Sequence, residues 1–88
     1  MNYKLKYYNH FGLQECDPVF CEYNYIVNGI YVPAVNIHHV LFGKGKKDNN
    51  IINLMAVSYQ VHQDAHNEKL NRYDLKEIHL QFMKCNPY

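Results

Sequence analysis

The apolar residues change their spacing along the chain, and each change marks an element. Over residues 1–15 the apolar positions Tyr7, Tyr8, Phe11 and Leu13 are irregular, which predicts a short helix or turn lying on the core. Asp17-Pro18 ends any helix there. Residues 19–32 read as a β-hairpin. Tyr25-Ile26-Val27 and Ile30-Tyr31-Val32 are β-branched and aromatic, and Asn28-Gly29 between them suits a type I′ turn. A second β segment is predicted over residues 34–41, then a polar loop, then a short apolar strand over residues 51–57. Residues 59–67 look helical. Over residues 74–84, Leu75, Ile78 and Phe82 fall on one stripe with Lys76 and Glu77 off it, which predicts an amphipathic helix. Asn71 or Tyr73 precedes it as a cap region and Pro87 follows it.

The chain has 88 residues, enough for one domain spanning residues 1–88. A domain this small has a thin stability margin, and its nine Tyr and four Phe supply large buried area per residue. The formal charge is +1, so composition does not by itself announce nucleic acid. The basic run Lys44, Lys46 and Lys47, set among Gly43 and Gly45, reads as a solvated loop or as a reach toward a phosphate backbone. Three cysteines, Cys16, Cys21 and Cys85, argue against a disulfide framework. No apolar leader and no membrane-length run is visible, so the expectation is an intracellular soluble protein.

Histidine changes the picture. There are six, and four of them group. His62 and His66 are four apart on a predicted helix, so they share a face and can address one metal ion. His38 and His39 end a predicted strand. Successive strand residues point to opposite faces, so both serve one site only if the strand bends, bulges or ends there. Spacing alone leaves a metal site and ordinary surface or packing histidines about equally open. His10 and His79 read as surface or packing residues.

From Ala34 to His66 the sequence resembles the HNH endonucleases, in particular small phage and prophage members. The resemblance rests on Ile37-His38-His39-Val40, then Gly43-Lys44-Gly45, then Asn53-Leu54-Met55-Ala56-Val57, then His62 and His66. It extends weakly to Tyr8-Asn9-His10-Phe11-Gly12, to Cys21-Glu22 and to the last helix. It implies an α+β fold: a small ββα-metal (His-Me finger) core over residues 34–67, with an added N-terminal β-hairpin and a C-terminal helix. It implies His39 as general base and Asn53 as the residue that holds the loop and the base or helps ligate. It implies His38, His62 and His66 as metal ligands, His66 alternatively as a phosphate contact. One divalent cation is implied, Mg²⁺ first, with Mn²⁺, Ni²⁺ or Zn²⁺ as alternatives. Lys44, Lys46 and Lys47 would face nucleic acid.

The chain departs from the pattern of the family it resembles. Many of its members carry a structural zinc on two Cys-x-x-Cys knuckles. Here only Cys21 remains, with Asn24, Ser58 and Val61 at the other three positions. A Cys₄ zinc site is therefore not expected. Asn36 stands where close relatives often have Asp. The implied activity is metal-dependent hydrolysis of DNA phosphodiester bonds in the cytoplasm of a phage or prophage host, alone or as a dimer. The alternative is an inactive HNH scaffold that binds and inhibits a host protein or nucleic acid; a third reading is an unrelated zinc-binding structural module.

Overall fold

The structure is a computed structural model, and it describes residues 2–41 and 49–88. Its elements are α1 (Tyr3–His10), a π-helical turn (Asn24–Asn28), β1 (Asn36–His39), a 3₁₀ turn (Ile51–Asn53), β2 (Leu54–Val57), α2 (Tyr59–His66) and α3 (Arg72–Cys85). The architecture is α+β, with one two-stranded antiparallel sheet and helices packed around it.

The register organises everything else. Asn36 faces Val57, Ile37 faces Ala56, His38 faces Met55 and His39 faces Leu54. Side chains alternate across a strand, so one face of the sheet carries Asn36, His38, Met55 and Val57, and the other carries Ile37, His39, Leu54 and Ala56. The first face packs with Val61 and Ala65 of α2, Leu75 of α3, and Cys21 and Val40. The second packs with Tyr7 and Phe11 from the α1 side and Phe82 of α3. All four residues of β2 are buried, because both faces of that strand are covered. α3 serves both clusters, with Leu75 in one and Phe82 in the other.

Local chemistry sets the helix ends. Asn2 caps α1 by accepting from the Lys4 amide at 2.8 Å. Ser58 caps α2 by accepting from the Val61 amide, and Asn71 caps α3 by accepting from the Tyr73 amide. The cap of α3 is the one expected at Asn71, and the helix begins two residues before the predicted 74. Ser58 thus has a structural task of its own. The C-terminal Tyr88 closes the aromatic core. Its hydroxyl accepts from the Phe20 amide, and its ring meets Phe11, Phe82 and Phe20.

The predicted hairpin over residues 19–32 is corrected. Its arms do approach each other: Phe20 bridges Pro33, the Cys21 amide donates to Val32, and the Ala34 amide donates to Val19. Between them the chain winds into the π-helical turn instead of two strands meeting at a tight turn. Gly29 then ends that turn at φ 68°, the left-handed conformation that terminates a helix. A glycine after Asn satisfies either geometry, so Asn28-Gly29 could not separate them. Burial decides, because the turn brings Tyr25 and Ile26 onto the core beside Phe82 and Ile37. The strand predicted over residues 51–57 likewise begins with a 3₁₀ turn, and the segment predicted over residues 34–41 is regular strand only across Asn36–His39. Among the described residues no helix is long and apolar enough to cross a membrane.

Candidate active site

β1 and α2 bring three of the predicted histidines together. His38 projects from the β1 face that meets α2, and His62 and His66 lie one turn apart on that helix. The ring centroids are 5.2 Å apart for His38 and His62, 5.6 Å for His38 and His66, and 4.6 Å for His62 and His66. One ring nitrogen from each lies within 4.8 Å of the other two. The Nε2 atoms of His62 and His66 are 3.1 Å apart. The group grades from buried His38 through half-buried His62 to exposed His66, so it has a protein side and an open side.

Electrostatics keeps this group ready to give up lone pairs. Burial, with the positive charges of His62, His66 and His39 added, pushes His38 down to about 4. Burial and then His66 also lower His62. His38 is therefore neutral at pH 7, the form in which imidazole ligates a metal. Three convergent ring nitrogens with one side open resemble the donor set of a three-histidine metal centre. Among the described residues no carboxylate or thiolate belongs to the group.

His39 goes the other way, as alternation requires. It is the last residue of β1 and lies on the α1 side of the sheet. Its ring contacts Tyr3 with centroids 4.8 Å apart, and its Nε2 is 2.8 Å from the Asn49 side-chain oxygen. Because a carboxamide oxygen only accepts, Nε2 donates in this contact. Lys6 of α1 donates to the Asn49 backbone oxygen at 3.0 Å, which ties that corner to the helix.

Asn53 joins the two ends of the loop that separates β1 from the 3₁₀ turn. Its side-chain oxygen accepts from the Leu41 amide at 2.7 Å, and its side-chain nitrogen donates to the Leu41 carbonyl at 3.0 Å. Its own carbonyl accepts from the Val40 amide. Asn53 itself is 5% exposed, while its Leu41 partner is half-buried. Asn53→Ala is expected to cost about 1–3 kcal/mol, because the buried carboxamide and the two half-buried backbone groups of Leu41 lose their bonds to each other. Urea unfolding checks this, and a change under about 0.5 kcal/mol contradicts the clamp. Lys44, Lys46 and Lys47, read as nucleic-acid contacts, lie outside the described residues.

Sequence reasoning missed two further groups. The first is Asn49, which carried no pattern that marks it. The second is a buried network around Glu22. The Glu22 carboxylate accepts from the Tyr7 hydroxyl, from the Ala56 amide at 3.0 Å, and from His79 Nδ1 at 2.5 Å. His79 Nε2 donates to the Ile51 carbonyl at 2.7 Å. Glu22 and His79 are both fully buried. Since both ring nitrogens of His79 face acceptors, the ring holds two protons and is a cation. Burial opposes that charge, but the Glu22 hydrogen bond and charge and the Ile51 carbonyl outweigh it and raise His79 above its ordinary value. Burial and Glu22 raise Tyr7 as well, so its phenol stays a donor. His79 is thus a packing histidine with a charged partner. A signal existed: it is four residues after Leu75 and three before Phe82, on the apolar stripe, where a polar ring requires a partner.

Comparison of the chain with family profiles, with curated proteins and with solved structures finds no match.

Proposed function

We propose that the chain is a metal-dependent endonuclease of the HNH (ββα-metal) type that hydrolyses DNA phosphodiester bonds. The observation that carries this reading is the convergence of His38, His62 and His66 on the α2 side of the sheet, at the end of the same strand whose last residue, His39, is held separately on the α1 side. The order of parts, two antiparallel strands followed by α2 with the histidines at the strand end and on the helix, accords with it.

In this reading His38, His62 and His66 hold one divalent cation. Bound there, the cation would polarise the scissile phosphate and offset charge on the departing oxygen. His39 takes the proton of the attacking water at Nδ1. Asn49 fixes its tautomer from the other nitrogen, and Tyr3 limits its rotation by ring contact. Asn53 holds the loop mouth and so the end of β1 that carries His39. Three imidazoles without a carboxylate suit Zn²⁺, Ni²⁺ or Mn²⁺ better than Mg²⁺, which prefers oxygen ligands. This reorders the preference drawn from the resemblance, where Mg²⁺ came first.

The test is conversion of supercoiled plasmid to nicked circle with Mn²⁺, Ni²⁺, Zn²⁺ or Mg²⁺ in turn. Nicking that needs added metal and stops on chelation is expected. Intact plasmid with every metal, at high protein, contradicts the enzyme reading and favours a non-catalytic binding protein.

A further inference from the structure

We infer that Asn36 is the residue that orients His62 for metal binding, by accepting a hydrogen bond from its outer ring nitrogen. This rests on the metal-centre reading given above and adds a residue to it.

The placement follows from the register. Asn36 and His38 are two apart on β1, so they share the face that meets α2. Asn36 pairs with Val57, and the Ser58 cap that starts α2 follows directly. This sets Asn36 at the start of the helix and His62 on its first turns. The Asn36 side-chain nitrogen is 3.5 Å from His62 Nδ1, while His62 Nε2 is 3.1 Å from His66 Nε2. The two nitrogens of one ring thus point in different directions: Nε2 into the histidine group, Nδ1 at Asn36.

The chemistry fixes what Asn36 must do when the group holds a cation. Nε2 can offer its lone pair only in the tautomer whose proton is on Nδ1. That proton requires an acceptor. A half-turn of the Asn36 carboxamide exchanges its nitrogen for its oxygen, and the oxygen then accepts from Nδ1–H. Metal-bound histidines generally donate their second N–H to such a partner, and losing it typically weakens metal binding 10–100-fold. His66, exposed at the open side, and His38, buried beneath, then meet a His62 ring held at a fixed angle. Asn36 touches neither substrate nor metal in this role, so it is a positioning residue.

The experiment is zinc affinity by competition with a chromophoric chelator, on the whole chain, for wild type, Asn36→Leu and Asn36→Asp. Asn36→Leu should bind zinc about 10–100-fold more weakly. Asn36→Asp, a stronger acceptor, should bind at least as tightly as wild type. Circular dichroism of the metal-free proteins checks that they fold alike. As a measurement independent of any variant, nitrogen-15 NMR of zinc-loaded wild type should show His62 protonated at Nδ1, with that proton slow to exchange. Zinc affinities within twofold of one another, or a His62 proton that exchanges freely with solvent, overturn the assignment of Asn36. A wild-type chain that binds no zinc overturns the metal centre itself and this inference with it. The two failures are therefore distinct.

Discussion

Glu22→Ala is expected to destabilise the protein by about 3–5 kcal/mol, the usual consequence of removing one partner from a buried ion pair. Glu22 is fully buried and receives three donors from three elements: Tyr7 of α1, Ala56 of β2 and His79 of α3. Its removal takes away the acceptor of a phenol, of an amide and of the Nδ1–H of an imidazolium in a dry interior. The imidazolium responds by losing its proton, which in turn loosens its hold on the Ile51 carbonyl. At about 4–8 °C per kcal/mol for a domain this size, the melting temperature should fall by roughly 12–40 °C. Thermal unfolding followed by circular dichroism measures it. A fall under about 5 °C contradicts the account of this network. Tyr7→Phe removes one donor and leaves the ion pair, so it should cost only about 1 kcal/mol.

The same network gives stability a pH signature. An unfolded histidine titrates near 6.5, and folded His79 titrates higher. Its stabilising contribution is therefore complete below about pH 6.5 and is lost as pH rises through the folded value. The difference in stability between wild type and Glu22→Gln should be larger at pH 6 than at pH 9. His38 acts in the opposite sense. Its folded value of about 4 lies below the unfolded one, so the unfolded chain binds a proton that the folded chain refuses. Metal-free protein should lose stability as pH falls from about 6.5 to 4. Metal should oppose that loss, because it competes with protons for the same nitrogens.

The helices and the histidine group were legible because each rests on a local pattern. Leu75, Ile78 and Phe82 mark α3, and the four-residue step from His62 to His66 marks one face of α2. Alternation made a shared site for His38 and His39 conditional on a bend at the strand end, and the two rings lie on opposite sides of the sheet. The segment over residues 19–32 was misread because its β-branched and aromatic residues suit a strand, while burial of Tyr25 and Ile26 favours a helical turn. That choice is tertiary and leaves no trace in local spacing. The Glu22 network is tertiary too. Its three donors come from positions 7, 56 and 79. Only the polar ring of His79 on an apolar stripe betrayed it.

The second large effect concerns His39. Its ring is held by Asn49 and Tyr3, on the opposite side of the sheet from the His38, His62 and His66 group. A positioned general base typically contributes 10²–10⁴ to rate. His39→Ala should therefore reduce nicking by about that factor while metal affinity stays near the wild-type value, since the three ligands are untouched. Stability should change little, because His39 is only half-buried. On the proposed function His38→Ala should behave differently and lose both metal binding and activity, because it removes the buried imidazole of the group.

The most direct measurement is thus plasmid nicking by wild type and His39→Ala, each loaded with the same equivalent of Mn²⁺ or Zn²⁺ and checked for bound metal. The account predicts equal metal content and about a 10²–10⁴-fold loss of cutting in the variant. Equal cutting by the two proteins would contradict it.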